Sequence, residues 1–518
     1  MLERWMDTAR RNKLAAIELG LLLATAITLR FINLGYSNFQ GDEISAICHP
    51  SHFDSFIKFL GYLLGQKKGP VQYIITCAIG LVDPVFSSEL LLRFPFALAN
   101  VLCMVCIFFM AWHLFDRKSA IFATFLAATN GMFIAFGRIV QYQSFVLLGV
   151  SASLLFMVLA VKRDRWRLPG LYLSYVTAAG ALLAHFDAAF VFPPLAVLTV
   201  YWWLEARQHP GSRRMARHLL TATGVAALPL LLFYTEYAHR ISQSSLQYWA
   251  NRITGSPTNS LATASYYAPG VFVGVSLVAA AIGLLRIRWD LGWQMMLSWL
   301  IPPLAFFELF FGDSRTHIYA YVLPLTLIAG LGLAGVAAWI KRHWGTLAGQ
   351  AARAGILIFL VLDGYASYDL LIDHSVEYPW QPKTVLGINM PGGNLGATFG
   401  FPYNRQWRDI GAWFAAQPGQ EQVLTTNEKL SIAGFYLPET VHFKYIWRDA
   451  PKRLPEGDRI YFLLIRHPQS WVDQLWGRTF DQWHMKFEPA ADFTNDSGEV
   501  VASVYLISME QYRSAAER

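Results

Sequence analysis

The sequence is short of charge. Only 15% of its 518 residues are Asp, Glu, Lys or Arg, while 54% are hydrophobic. A soluble domain carries roughly a quarter charged residues, so an ordinary water-soluble enzyme is excluded. Cysteine is scarce as well, with four residues, Cys48, Cys77, Cys103 and Cys106. So few, set among apolar segments, do not suggest a disulfide framework. Cys103 and Cys106 have CxxC spacing but fall inside a hydrophobic run, where cysteine behaves as a small hydrophobe. Internal repeats and low-complexity tracts are lacking too. The net charge of +7 is not a nucleic-acid signal, because the basic residues lie in short links between apolar runs, where they set topology. The expected partner is the lipid bilayer, with no nucleic acid.

What is present is a series of apolar runs. A helical span needs about 20 such residues. Runs near 13–32, 91–113, 119–137, 140–161, 170–186, 188–204, 216–237, 265–285, 291–311, 317–340 and 353–371 predict about eleven spans, or 12–13 if shorter segments also cross. Residues 70–86 are short and interrupted by Asp83-Pro84. The links at 116–118, 162–167, 205–218, 286–290 and 341–344 are basic; those at 137–143, 185–188, 238–264 and 312–317 are less so. Alternation of sides then requires 70–86 not to cross. The N-terminus, with Arg4, Arg10, Arg11 and Lys13, is expected in the cytoplasm, ahead of an uncleaved signal anchor. Residues 44–65 read as one amphipathic helix on the outer face.

Beyond residue 371 the composition changes. Residues 372–404, marked by Pro379, Pro382, Pro391 and a glycine-rich stretch, read as a linker. Residues 405–417 have helical periodicity, 422–426, 459–466 and 501–508 read as strands, and 468–478 reads as a helix. The expected fold is a polytopic α-helical membrane protein (1–371, with an outer loop at 33–90) carrying a C-terminal extracytoplasmic α/β domain (405–518).

Polar residues gather at the outer ends of the predicted spans. Asp42 and Glu43 follow the first span by about ten residues. A general base must reach an acceptor hydroxyl and stay ionised, which an Asp near water does. The plainer alternative makes Asp42 the N-cap of the next helix. Lys67 and Lys68, before Gly69-Pro70, suit a phosphate or lipid headgroups. Arg93 and Arg138 sit where an arginine snorkels or meets an anion, and a guanidinium binds phosphate bidentately. His185 and Asp187, two apart in a very short link, fit a divalent metal, a substrate contact or a polar turn. Arg315 and His317 precede Tyr319, Tyr321 and Pro324. Each residue alone has a bland explanation; their convergence on one face is the informative feature.

The order of these pieces resembles a known family. A single span is followed by "GDE", Lys68-Gly69-Pro70 with Tyr73 behind it, "LRFPFALAN", "GRIVQYQSF", "HIYAYVLPL" and a terminal α/β domain. It is similar to the GT-C glycosyltransferases, in the bacterial branch near protein O-mannosyltransferases and the lipid A aminoarabinose transferase. That resemblance implies a sugar donor linked to polyprenyl phosphate and a glycolipid, glycan or protein acceptor, at the outer face of the cytoplasmic membrane. It implies Asp42 as general base, with Glu43 orienting the base or the acceptor. Lys67, Lys68, Arg93, Arg138 and Arg315 would face the donor phosphate. Tyr73, Gln141, His185, Asp187, His317 and Tyr321 would contact acceptor or sugar. The chain departs from the family pattern at Gly69, where a proline is common, and at Gln141 and Gln143, where an aspartate is common. No cofactor is expected; a divalent metal enters only through His185 and Asp187. The rival classes are a transporter or flippase for a lipid-linked or anionic substrate, and a non-catalytic membrane scaffold. A transporter places its polar groups at mid-membrane on related halves, which this sequence does not show.

Overall fold

A computed structural model describes residues 2–66, 68–208, 212–255, 259–393, 399–417, 422–443, 459–470, 472, 474–475 and 478–506. In chain order the helices are α1 (Leu2–Phe31), α2 (Gly41–Ile44), α3 (Phe56–Leu64), α4 (Val71–Gly80), α5 (Glu89–Leu114), α6 (Arg117–Thr129), α7 (Gly131–Gly137), α8 (Gln143–Lys162), α9 (Arg167–Ala184), α10 (Phe192–Ala206), α11 (Ser212–Arg240), α12 (Gln243–Thr254), α13 (Ser260–Tyr267), α14 (Gly270–Leu284), α15 (Leu291–Ala305) and α16 (Tyr319–Leu371). A C-terminal α/β set follows them. The chain divides into two compact units. One comprises residues 1–32, 48–86 and 91–372; the other comprises 33–47, 87–90 and 373–518. Two short segments of the N-terminal part therefore pack with the C-terminal unit.

In the helical unit, all eleven predicted stretches are helical. Among the described residues, five helices are long and apolar enough to cross a membrane singly, and seven if each bent pair counts as one span. The bends have local causes. Asn130 ends α6 and caps α7 by accepting the backbone N–H groups of Met132 (3.1 Å) and Phe133 (3.4 Å), and the two helices meet at 62°. Pro269 stands at the 118° turn between α13 and α14. In α16 the helix is broken at Gly345, whose φ of +86° L residues rarely adopt. This break separates the two spans expected at 317–340 and 353–371.

Small residues set the helix spacing. A Cβ at Gly332 would lie 1.9 Å from the Ala279 carbonyl oxygen, and one at Gly330 would lie 2.2 Å from the Ala123 Cα. Glycine thus lets α16 meet α14 and α6 backbone to backbone, the close approach typical of membrane helices.

Two expectations about the first loop are corrected. Residues 44–65 are not one amphipathic helix. The chain leaves α2 at Ser45, makes a 3-10 turn over Pro50–His52, and starts α3 only at the Ser55 cap, whose Oγ accepts the Lys58 N–H. Proline at 50 supplies no N–H to continue a helix. The short α3 does turn Phe56 and Ile57 outward, as an interfacial helix would. Secondly, Cys48 and Cys77 are paired as a disulfide, with Cα atoms 4.8 Å apart, against the expectation of no disulfide pattern. The pairing joins the first loop to α4 and is a fold-level event that a count of four cysteines does not reveal. With ten residues, α4 spans about 15 Å, too short to cross a bilayer.

The C-terminal unit holds β1 (Lys383–Val385), β2 (Ile388–Met390), β3 (Gln422–Thr426), β4 (Val441–Phe443), β5 (Arg459–Ile465), β6 (Gln474–Leu475), β7 (Arg478–Thr479), β8 (Ala491–Thr494) and β9 (Val500–Leu506), with α17 (Trp407–Ala415), α18 (Leu430–Tyr436) and α19 (Phe480–Lys486). Its main sheet has the order β4-β3-β5-β9-β8, with β3 parallel to β4 and β5, and β9 antiparallel to β5 and β8. Trp407, Phe414, Leu424, Ile432, Leu463 and Val504 form its core. The helix expected at 468–478 is not found in the described residues, among which Gln474–Leu475 pairs antiparallel with Arg478–Thr479; residues 471, 473, 476 and 477 lie outside the described residues. The helix begins later, at the Thr479 cap, where a reciprocal Thr479–Gln482 capping box satisfies its first donors.

A buried ion pair ties the N-terminal segment into this unit. Glu377 accepts Arg405 Nη1, the Tyr36 hydroxyl (2.9 Å) and the Asn404 N–H (2.8 Å). Nearby, burial and the Arg405 and Arg466 guanidiniums push His467 down to about 4, with Asp481 acting in the opposite direction.

Two outcomes follow from this packing. Gly332→Val overpacks a backbone contact and is expected to cost about 1–3 kcal/mol, read as a lower Tm of the detergent-solubilised protein. His467 stays neutral in the fold while the unfolded chain takes up a proton near pH 6.5. Its contribution to stability is therefore full above that pH and is lost as pH falls from 6.5 toward 4. Amide protection of β5 should fall over that interval in the parent, and fall less in His467→Gln.

Candidate active site

The Asp-Glu doublet is resolved into two different jobs. Gln40 is the N-cap of α2, and Glu43 closes a capping box by accepting the Gln40 N–H at 2.9 Å. Glu43 is fully buried, whereas Asp42, at the second helical position, is exposed. Asp42 is therefore not the cap that the plainer sequence reading made it. The cap belongs to Gln40, and Glu43 shapes the turn that presents Asp42.

Within the helical unit, basic residues gather at the C-terminal ends of α1 and α7. Arg138 is the C-cap of α7 and is buried. Its Nη1 donates to the carbonyls of Arg30 (3.3 Å) and Ile32 (2.7 Å), which α1 leaves without helical partners. Arg30 itself donates to Asn100 Oδ1 (2.7 Å) and the Ala128 carbonyl (2.9 Å). Arg93 and Arg30 both lie within electrostatic reach of Arg138. Gln141, three residues on, accepts the Gln143 amide at 3.0 Å.

A second cluster centres on Asp187. Its Oδ2 accepts His317 Nδ1 at 2.6 Å and the Tyr319 hydroxyl at 3.0 Å. Its Oδ1 lies 3.2 Å from His185 Nδ1. Arg252 Nη1 lies 3.3 Å from His317 Nε2. A guanidinium can only donate, so Nε2 accepts and the His317 proton is on Nδ1, facing Asp187. His185 Nδ1 accepts the Asp187 backbone N–H at 3.2 Å, and its ring stacks on Tyr142 with centroids 3.7 Å apart. A neutral ring that accepts at Nδ1 carries its proton on Nε2.

Two of the atoms that a divalent metal would use here already have partners. Asp187 Oδ2 is engaged by His317 and Tyr319, and His185 Nδ1 faces the Asp187 main chain. Among the described residues no group of three or more His, Cys, Asp or Glu is arranged to hold an ion.

The remaining expected residues are dispersed. Lys67 lies outside the described residues. Tyr73 is buried in α4 against Tyr62. Arg315, half exposed, pairs with Asp313 at 2.9 Å. Tyr321 donates to Glu308 and lines a cavity of about 500 Å³ together with Leu261, Phe272, Leu325 and Asp363. Sequence reasoning missed Arg252, Tyr142, Glu308 and Asp363. Arg252 had one legible signal, its place beside Tyr248 and Trp249, over whose rings its guanidinium sits.

Residues 68–249 match the family model described as dolichyl-phosphate-mannose-protein mannosyltransferase. Lys68, Arg93, Arg138, Gln141, His185 and Asp187 all fall inside that match. The chain is 22% identical over 261 residues to the undecaprenyl phosphate-α-4-amino-4-deoxy-L-arabinose arabinosyl transferase of Yersinia pestis (strain Pestoides F), covering 46% of this chain and 45% of that one. The chain thus spans about half the length of the curated relatives it matches. ArnT from Cupriavidus metallidurans in the apo state superposes with a TM-score of 0.52 at 14% identity, over 95% of this chain and 98% of that one. The same protein bound to undecaprenyl phosphate gives 0.51 at 12% identity, with the same coverage. The fold is that of the GT-C glycosyltransferases. With its apolar helices, this chain is a multi-pass protein of the inner membrane.

The Asp187 cluster makes a direct prediction. Asp187→Ala leaves His317 and Tyr319 donors buried without their acceptor and should cost about 1.5–3 kcal/mol. The loss is measured as a lowered Tm beside Arg315→Ala, an exposed control expected to stay within about 0.5 kcal/mol of the parent.

Proposed function

We propose that this protein is an inverting glycosyltransferase that moves a sugar from a polyprenyl-phosphate donor to a hydroxyl acceptor at the outer face of the inner membrane. The observation that carries the reading is the exposed Asp42 carboxylate, set on a turn whose other carboxylate, Glu43, is engaged in capping. It is supported by the GT-C fold, by the mannosyltransferase family match over 68–249, and by the undecaprenyl-phosphate donor in the name of the curated relatives.

In this reading Asp42 takes the proton of the acceptor hydroxyl. The oxygen attacks the anomeric carbon from the face opposite the phosphate, the carbon–oxygen bond to phosphate breaks, and the anomeric centre inverts. Polyprenyl phosphate leaves with one more negative charge than the donor diester carried. Cations that meet this developing charge lower the barrier more than they tighten donor binding. Lys68, Arg93 and Arg138 are the proposed phosphate-facing cations, with Lys67 and Arg315 as further candidates from the sequence. The proton on His185 Nε2 is available for a sugar or acceptor oxygen. The cavity bounded by Leu261, Phe272 and Leu325 suits a segment of an isoprenoid tail.

The proposed orientation puts the N-terminus in the cytoplasm and the C-terminal unit outside. Basic residues in alternate links support it. So does the Cys48–Cys77 disulfide, since disulfides persist in the periplasm rather than the cytosol.

The test is release of polyprenyl phosphate from polyprenyl-phosphate sugars by the purified protein, parent beside Asp42→Asn. The parent should release it, and the variant should be slower by about a hundredfold or more. Equal rates in parent and variant would remove Asp42 as the base. No release by the folded parent across a broad donor and acceptor panel would refute the transferase reading.

A further inference from the structure

The C-terminal unit contains a buried acid that the proposed reaction does not use. Glu428 follows β3 and is fully buried. Its carboxylate accepts the backbone N–H groups of Lys429 (2.8 Å), Gln469 (3.0 Å) and Ser470 (3.1 Å), and the Tyr403 hydroxyl (3.2 Å). Burial raises its pKa, and these bonds act against that rise. Asn427 braces the same region by accepting the Ile465 N–H at 2.8 Å and donating to the Ile465 carbonyl at 2.9 Å. The backbone at 469–470 is thereby fixed from two sides.

The fixed turn aims one side chain at the Asp42 loop. Gln469 is 8% exposed, and its Oε1 accepts the Gly41 N–H at 3.0 Å. Gly41 is the first residue of α2, so its N–H has no helical partner of its own. Three more bonds lay the preceding residues on the same unit. The Phe39 N–H donates to the Tyr436 hydroxyl (2.7 Å), the Asn38 N–H to the Tyr403 carbonyl (2.9 Å), and the Arg405 N–H to Asn38 Oδ1 (2.7 Å). Residues 38–41 are thus held through main-chain groups and the Asn38 side chain, and Asp42 comes next.

We infer that the α/β unit is the seat of the Asp42 turn, and that Gln469 is a positioning residue for the proposed general base. Gln469 acts through the Gly41 N–H, and Glu428 acts by fixing Gln469. The inference rests on the assignment of Asp42 as base. It gives the C-terminal unit a role in the reaction that does not depend on which acceptor is used. The chemistry suits the task. A neutral amide oxygen satisfies the orphan N–H without setting a second charge beside Asp42. The effect on rate is expected to be large for a contact remote from substrate, because a misplacement of about 1 Å can cost on the order of a hundredfold.

The experiment uses the full-length protein in lipid nanodiscs, with two readouts. Hydrogen exchange over residues 38–46 reports the turn without reference to activity. Release of polyprenyl phosphate gives kcat and the donor KM. Gln469→Ala should lose protection at 38–46 while β5 and β9 keep theirs, and its kcat should fall about tenfold or more with donor KM within about twofold. Gln469→Glu keeps an acceptor oxygen and should restore protection. In an Asp42→Asn background, adding Gln469→Ala should cause no further loss, because the residue acts through Asp42. Unchanged protection in Gln469→Ala, or a loosened turn with parental kcat, overturns the inference. A loosened turn and reduced kcat in Gln469→Ala, with Asp42→Asn at the parental rate, supports the seat and refutes Asp42 as base.

Discussion

Backbone groups at the end of a helix have to be satisfied, and inside or beside a bilayer water does not do it. Much of this molecule is arranged around that requirement. The carbonyls at the end of α1 are met by Arg138, the start of α7 by Asn130, and the start of α2 by Gln40, Glu43 and Gln469. Each answer places a polar side chain where a helix breaks. Breaks in membrane helices are also where polar chemistry is tolerated, so the residues that close the backbone and those proposed to act on substrate are neighbours in the chain.

Glu43 and Asp42 show how two adjacent carboxylates separate. One turns inward, is wholly buried and accepts an N–H group; the other stays at the surface. Asp187 is a third case, a buried carboxylate whose Oδ2 accepts from His317 and Tyr319. Burial makes an unpaired carboxylate costly, so the two buried ones are each held by hydrogen-bond donors. The Asp187 cluster holds His317 and Tyr319 in place, and the 40–44 turn carries Asp42, the proposed base.

The sequence made the helical stretches legible because each carries its own signal. Apolar length marks a span regardless of what packs against it, and all eleven such stretches are helical. It also singled out Asp42, Arg138, His185, Asp187 and His317 through their convergence at the outer ends of the predicted spans, although each alone had a bland explanation. It failed where partners from elsewhere in the chain decide. Apolar spacing over 44–65 suggested one helix, yet Pro50 and the Ser55 cap divide it. The 468–478 segment looked helical, but Gln469 and Ser470 give their N–H groups to Glu428, about forty residues earlier, and no helix forms there among the described residues.

What the sequence by itself determined is the membrane class, the helical nature of the apolar stretches and the α/β nature of the C-terminal part. All of these follow from local composition and periodicity, which need no distant partner. What only the tertiary structure decided is which carboxylate of the doublet is exposed, that Cys48 meets Cys77, that Asp187 lies between His185 and His317, and that Gln469 holds Gly41. These depend on groups brought together across tens to hundreds of residues of chain, and a hydrogen bond is set by distance and direction in space, which one-dimensional spacing does not encode.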